Sequence, residues 1–324
     1  MTVVQAPPPG APSAPGGGAS RKARRQNAAI AAARARRQRP TVPPVQVVFS
    51  SAILSLAASL LGFAAWITFA SHLYYDRVQH DAYASFRAEL AQAIAPTGPT
   101  DPANAKKLLA PGSPVAILKI PEIGLNAVVL EGTSGAVLEG GPGHLRDTQL
   151  PGQVGLSEIM GRRAAYGGPF ARLSSLSPGE LFSVTTGQGV FHYRVLDIRR
   201  AGDTIPRFSA GHGWLILATA DGSAFAPSGV VRVDANLISR PQPAPTMVVS
   251  GADIAPGELA IGTETLAWVP LVLWGQGLVL AAAATGWLGS RWGRWQTWAV
   301  GVPVLGYFGL EVADQVTRLL PNLM

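Results

Sequence analysis

Long uncharged hydrophobic stretches near both ends of the chain frame a central region with a different pattern. Residues 45–70 contain no charged side chain, and neither do residues 265–289. Each is long enough for a membrane-spanning helix, which needs about 20 apolar residues. Residues 296–317 form a weaker third stretch, because they include Glu311 and Asp314. The pattern predicts three transmembrane helices, with a re-entrant or interfacial helix as the alternative for the third.

Short apolar runs separated by glycine and proline fill residues 112–240. Many short runs at this spacing are typical of a closed or sandwiched all-β domain. Before it, residues 71–111 combine helical spacing over 78–94 with a proline-containing linker. Residues 241–264 form a second polar linker. We therefore expect a β domain joined on both sides to hydrophobic helices.

The positive charge of the chain is concentrated in its N-terminal tail. The net charge is +7, yet eight lysine and arginine residues and no acid precede residue 72. Residues 1–44 are rich in alanine, proline and glycine, a composition that predicts disorder. Because a nucleic-acid groove needs its charge on the folded domain, we expect no nucleic-acid partner.

The basic residues also predict an orientation. Arg291 and Arg294 lie in the turn between the second and third hydrophobic stretches, and the basic tail precedes the first. The positive-inside rule puts both on the cytoplasmic side of the plasma membrane. The N-terminus would then be cytoplasmic and the β domain extracytoplasmic.

The sequence contains no cysteine. This excludes disulfides, thiolate metal sites and a cysteine nucleophile. The five histidines are scattered and show no metal-ligand spacing. We expect neither a metal ion nor a cofactor.

Six short motifs occur in a recognisable order. They are "IPEIGL", "VVLEGTS", "LEGGPGH", "LPGQVG", "YGGPFARLSSLSPGELFSV" and "VFHYRVLDI". In this order and spacing the sequence resembles the sortase family, the β-barrel transpeptidases of bacterial surfaces, and particularly the actinobacterial class E enzymes. The resemblance covers about residues 112–238 and implies an all-β fold, an eight-stranded barrel with a substrate groove.

Sortase chemistry needs three groups, and the resemblance indicates where each should lie. A cysteine thiolate forms a thioester with the substrate, a histidine moves protons, and an arginine stabilises the oxyanion or the substrate backbone. The histidine position holds Arg162, the cysteine position holds Ala220, and the arginine position holds Gly229. Arg232 follows three residues later, and an odd offset points to the other face of a strand unless a bulge intervenes. We expect no catalytic residue of the family type.

These replacements favour a catalytically degenerate pseudo-sortase. It would be a binding or scaffolding module for a sorting-signal peptide, a cell-wall component or a membrane partner. The candidate residues of its groove are Arg162, Arg163, Thr219, Asp221, Ser223 and Arg232. For Arg162 the alternative to ligand binding is exposure to solvent or a pair with Glu158 or Asp221.

Two other functions stay open. One is a hydrolase or transpeptidase with relocated chemistry, in which Thr219 or Ser223 would need a base such as His212. The other is a structural component of a surface assembly, with the groove filled by the chain itself. Residues 95–114 and 241–263 are long enough to fill it.

Overall fold

A computed structural model describes one large folded unit of the chain. The described residues are 26, 28–30, 61–63, 65–223, 226–291 and 294–324. The chain divides into two units, Met1–Ala57 and Ala58–Met324. Most of the tail predicted to be disordered and of the first predicted span lies outside the described residues; within the tail, residues 26 and 28–30 are helical.

Eight strands close into a barrel, which confirms the predicted architecture. They are β3 (Pro114–Ile120), β4 (Leu125–Glu131), β5 (Gly143–His144), β6 (Gly155–Met160), β7 (Leu181–Thr186), β8 (Gly189–Arg199), β9 (Gly213–Ser223) and β10 (Ala226–Leu237). Their order around the barrel is β10-β8-β7-β3-β4-β5-β6-β9. The pairs β4–β5 and β6–β9 are parallel, and β9 pairs with β10 antiparallel. A separate hairpin, β1 (Thr100–Asp101) and β2 (Asn104–Leu108), occupies the first linker.

In the described part of Ala58–Met324, four α-helices accompany the barrel. They are α1 (Ser71–Ala91), α2 (Gly135–Gly140), α3 (Trp268–Arg291) and α4 (Arg294–Leu319). Helix α1 starts earlier than the predicted 78–94 and is fixed to the barrel by the Gln79 amide. Its Nε2 donates to the carbonyls of Val128 and Gly140, at 3.0 and 2.8 Å.

The two C-terminal helices differ in whether their length and composition would allow them to cross a membrane. Among the described residues, Thr265–Thr285 is the segment whose length and composition would allow it to cross a bilayer. The third predicted stretch is helical as well, within α4, but it does not meet the same criterion. The last turns of α4 bury Ala313, Gln315 and Thr317. Thr317 lies within hydrogen-bond distance of Glu139 on α2 and of Tyr166, partners that lipid would not offer.

Strand alternation determines which side chains fill the barrel. In β9, Leu215 and Leu217 belong to the large internal cluster, as do Val233 and Ala235 of β10. The intervening residues of β9 point outward, because successive side chains of a strand lie on opposite faces. Ala218 and Ala220 are therefore on the outer face, where the family's groove is expected.

Candidate functional site

Ala220, predicted to correspond to the family's cysteine, is covered by the chain itself. Ala220 lies near the end of β9 and is 0% exposed, although its side chain points away from the barrel interior. It belongs to a second apolar cluster outside the barrel. The buried members of this cluster are Leu138, Leu145, Met160, Ala218, Ala220 and Leu323. The site predicted to be an open groove is filled.

Two parts of the chain, here called the closing segments, supply the cover. The first is residues 254–261, from which Ile254, Ala260 and Ile261 pack against the cluster around Ala220. The second is residues 322–324, whose side chains are all buried. The first segment lies within the linker 241–263 that the sequence offered as a possible filler. The other candidate, residues 95–114, forms β1 and β2 instead.

The pairing of β9 with β10 corrects the expectation for the arginine position. Val230 lies opposite Ala220, whereas Gly229 lies opposite Asp221. A register irregularity between Pro227 and Gly229 causes this offset. Arg232 lies opposite Ala218, and directly opposed residues share a face. Arg232 therefore faces the groove side after all, where its Nε is 3.9 Å from Glu158 Oε1.

Arg162 is a buried side chain, in contrast to the exposed groove residue predicted from sequence. It is 1% exposed, and its Nη2 donates to the Gly135 carbonyl at 2.9 Å. The same atom is 3.7 Å from Glu139 Oε1, and its Cζ lies 4.9 Å from the Tyr166 ring centroid. The alternatives from sequence, solvent or a pair with Glu158 or Asp221, were also wrong. Helix α2, which the sequence pattern did not predict, supplies the partner.

A polar cluster joins α2 and the barrel to the end of α4. Thr317 Oγ1 is 3.4 Å from Glu139 Oε1 and 3.3 Å from the Tyr166 hydroxyl. Burial raises the pKa of Glu139 to about 7, although Arg162 opposes this rise. Burial also lowers the pKa of Arg162. Arginine nevertheless stays protonated at neutral pH and cannot act as a base.

Arg163 and Asp221 lie at the edge of the closed site and remain partly exposed. Arg163 Nη1 donates to the Ala220 carbonyl at 3.1 Å and is 3.8 Å from Asp221 Oδ1. Asp221 Oδ2 is also 3.3 Å from Arg200 Nε. The backbone N–H of Arg163 donates to the Leu323 carbonyl at 3.0 Å. Of these two predicted groove residues, Arg163 therefore borders the second closing segment.

The hydroxyls considered for relocated chemistry are engaged elsewhere. Thr219 is buried on the other face of β9 from Ala220, and its Oγ1 donates to the Gly161 carbonyl at 2.8 Å. Ser223 is exposed and donates to the Ala226 carbonyl at 3.0 Å. His212 Nδ1 faces the Ala210 carbonyl at 3.2 Å. The structure brings none of these three predicted groups into a catalytic pair.

His144 is buried, and both of its ring nitrogens have a partner. Its Nδ1 is 2.9 Å from Glu131 Oε2, and its Nε2 is 2.9 Å from the Gln149 carbonyl oxygen. Burial disfavours the charged imidazole, but the Glu131 carboxylate outweighs it and the pKa of His144 is raised. Within the described residues, no group of three or more histidine, aspartate or glutamate side chains is placed to hold a metal ion.

Comparison with known proteins shows what the barrel is similar to. Residues 118–225 match the family model of the Sortase domain. The barrel is similar to this domain. A curated relative, Sortase D of Bacillus subtilis (strain 168), is 31% identical over 99 residues. The match includes 30% of this chain and 48% of that protein, so the chain spans about half the length of the curated relative.

Solved sortases match the sortase-like domain as well. A Clostridium perfringens Sortase D5 transpeptidase is 21% identical, with 50% of this chain and 99% of that chain covered and a TM-score of 0.42. Sortase E from Streptomyces avermitilis is 32% identical, with coverages of 40% and 91% and a TM-score of 0.36. Clostridium perfringens sortase C, solved with its C-terminal cell wall sorting motif, is 19% identical, with coverages of 50% and 89% and a TM-score of 0.38. The class E assignment stays a prediction.

Sequence reasoning missed the residues that close the sortase-like site. Asn322, Leu323 and Glu258 lie outside the region of resemblance, in segments assigned as linker or chain end. Glu139 lies inside it, but within a glycine-rich motif that gave no sign of a buried acid. A buried arginine requires a nearby acceptor, and that requirement was the one available signal for Glu139.

Proposed function

We propose that this chain is a membrane-anchored, extracytoplasmic sortase-like protein that carries out no transfer reaction and serves as a structural or scaffolding component at the cell surface. One observation carries the proposal. Ala220, at the family's nucleophile position, is fully buried beneath the chain's own closing segments. This favours the hypothesis of an occluded groove over that of an open peptide-binding groove.

The chemistry of the three family positions supports the same conclusion. Alanine cannot form a thioester, and the chain has no cysteine that could replace it. Arg162 cannot shuttle protons at neutral pH. Arg232 faces the groove side, but it lies beside Glu158 and opposite Ala218, two residue pairs away from Ala220.

The closed groove also limits the partners proposed from sequence. A sorting-signal peptide or a cell-wall component would have to displace both closing segments before it reached Ala220. A partner membrane protein needs no open groove, so a scaffolding role in the membrane is the better match. Helix α3 and the first hydrophobic stretch would provide the anchor, with the N-terminus in the cytoplasm.

A transfer assay on the full chain tests the proposal. The chain, in detergent micelles, is incubated with a fluorogenic sorting-signal peptide and hydroxylamine as acceptor. A cysteine-containing sortase under the same conditions is the positive control. We expect no cleavage and no hydroxamate above the protein-free blank. Hydroxamate formed by the wild-type chain would show relocated chemistry and overturn the proposal.

A further inference from the structure

The second closing segment lies in a site with two separate pockets, one for the Asn322 side chain and one for the Leu323 side chain. We propose that the groove has kept a sequence-specific peptide site, and that Asn322 and Leu323 are its built-in ligand. The chemical class of ligand is a short peptide with an asparagine followed by a leucine in a turn, because residues 322 and 323 form a turn in which the Met324 N–H donates to the Pro321 carbonyl at 3.1 Å. This inference rests on the proposed function and specifies what occupies the closed groove.

An amide pocket surrounds the Asn322 side chain. Its Nδ2 donates to three backbone carbonyls, those of Thr133, Gly257 and Leu259, at 3.0, 3.1 and 2.9 Å. Three acceptors that converge on one nitrogen select an N–H donor. An aspartate of the same shape would place a carboxylate against three carbonyl oxygens in a buried site, which is strongly unfavourable. The pocket therefore distinguishes asparagine from aspartate.

The walls of this pocket are held by contacts that do not involve the ligand. Glu258 receives two hydrogen bonds from Arg146, at 2.8 and 2.6 Å. Its backbone carbonyl accepts a further bond from Thr133 Oγ1 at 2.6 Å. A bidentate arginine–carboxylate pair gives geometric precision as well as energy. The pocket is thus built by the barrel and the first closing segment.

The leucine pocket is next to it and is apolar. Leu323 is fully buried against Leu138, Met160 and Ala220. The small side chains on the outer face of β9 leave the space that a leucine occupies. An aspartate here would be buried without a partner.

Main-chain hydrogen bonds hold the ligand on both sides of these pockets. The Asn322 N–H donates to the Gly262 carbonyl at 2.9 Å, and the Arg163 N–H donates to the Leu323 carbonyl at 3.0 Å. Peptide recognition commonly combines main-chain hydrogen bonds, which give affinity, with side-chain pockets, which give specificity. Both components are present here.

Attachment to α4 explains why the site is filled. The end of α4 is fixed to the barrel through Thr317, which contacts Glu139 and Tyr166. A tethered ligand acts at an effective concentration in the millimolar range for a short link. A free peptide would compete only when the built-in ligand has been weakened.

Peptide binding to the full chain tests this inference. Asn322→Ala and Leu323→Ala each remove one pocket contact without burying a charge, and Leu181→Ala on the exposed surface of β7 is the matched control. The probe is a fluorescent, terminally capped peptide with the sequence of residues 319–324, and binding is followed by anisotropy. We expect the two pocket variants to bind it at least tenfold more tightly than the wild type and the control. An otherwise identical peptide with aspartate in place of asparagine is expected to bind at least tenfold more weakly.

Each other outcome overturns the inference. Folded variants that fail to bind the peptide, or that bind both peptides equally, would show that the site does not select a peptide by its sequence. Variants that lose the folded barrel in circular dichroism would show that the segment belongs to the core of the fold and is no exchangeable ligand. The proposed function fails on a separate result, the transfer assay with the wild-type chain.

Discussion

At the scale of single residues, Arg162 has structural contacts at the position predicted to correspond to the family's histidine. A buried guanidinium is stable only when it is paired and hydrogen-bonded. The Arg162 Nη2 donates to the Gly135 carbonyl at 2.9 Å and is 3.7 Å from Glu139 Oε1. The Arg162 Cζ is 4.9 Å from the centroid of the Tyr166 ring. Arg162 therefore supports the junction between the barrel, α2 and the end of α4.

This environment predicts that removing Arg162 or Glu139 alone strongly lowers the free energy of unfolding. Arg162→Ala would leave Glu139 buried without its cation, and we expect a loss of about 3–5 kcal/mol in the free energy of unfolding. The double variant Arg162→Leu with Glu139→Gln removes both charges, and we expect it to recover most of the loss. Chemical denaturation in detergent measures both values. If Arg162→Ala were as stable as the wild type, the pairing would have no structural role.

Glu139 predicts a dependence of stability on pH. Its pKa is about 7 in the folded chain and about 4.5 for an ordinary, solvent-exposed glutamate, so the folded state favours the protonated acid. The contribution is fully present below about pH 4.5 and is lost as the pH rises through 7. Its size is on the order of 3 kcal/mol, since one pKa unit corresponds to about 1.4 kcal/mol.

Denaturation series across this pH range compare the wild type with Glu139→Gln. We expect the variant to lack the decline in stability between about pH 4.5 and 7 that Glu139 causes. An unchanged pH profile in the variant would refute the assignment to Glu139.

At the scale of elements, the barrel was predictable from sequence and its cover was not. Short β-branched runs between turns indicated the strands, because strand alternation is a local property. The packing of Leu323 against Ala220 joins residues more than 100 positions apart. No local period or spacing encodes such a contact. Helix α2 is six residues long and falls within a glycine-rich motif, so its pattern was too short to identify.

Loss of the pair between Arg146 and Glu258 is predicted to change the hydrogen exchange of the first closing segment. Arg146→Gln breaks the bidentate pair with Glu258, and we expect amide protection of residues 256–262 to fall at least tenfold. Arg200→Gln is the matched control, because it breaks a pair with Asp221 that is open to solvent. Mass-spectrometric hydrogen exchange of the full chain compares the two. Equal protection in the wild type and Arg146→Gln would show that this pair does not hold the segment.

At the scale of the whole molecule, the described unit is a sortase-like barrel whose groove is closed by the segments that precede α3 and follow α4. The family resemblance drew attention to Arg162 and Ala220, and their correspondence to the family's histidine and cysteine stays a prediction. The resemblance could not show that Ala220 is buried, because its cover comes from segments outside the resemblance. The face on which Arg232 lies depends on the register of β10 with β9, which an irregularity between Pro227 and Gly229 shifts by one residue.

Cysteine accessibility tests the closure of the groove most directly. The chain has no cysteine, so single variants report one position each. Ala220→Cys and Ser223→Cys lie three residues apart on β9, the first fully buried and the second exposed. The rate of maleimide labelling of each, on the folded full chain in detergent, is the quantity to compare. We predict labelling at position 220 to be at least a hundredfold slower than at position 223; similar rates at both positions would mean that the groove is open and would contradict the account.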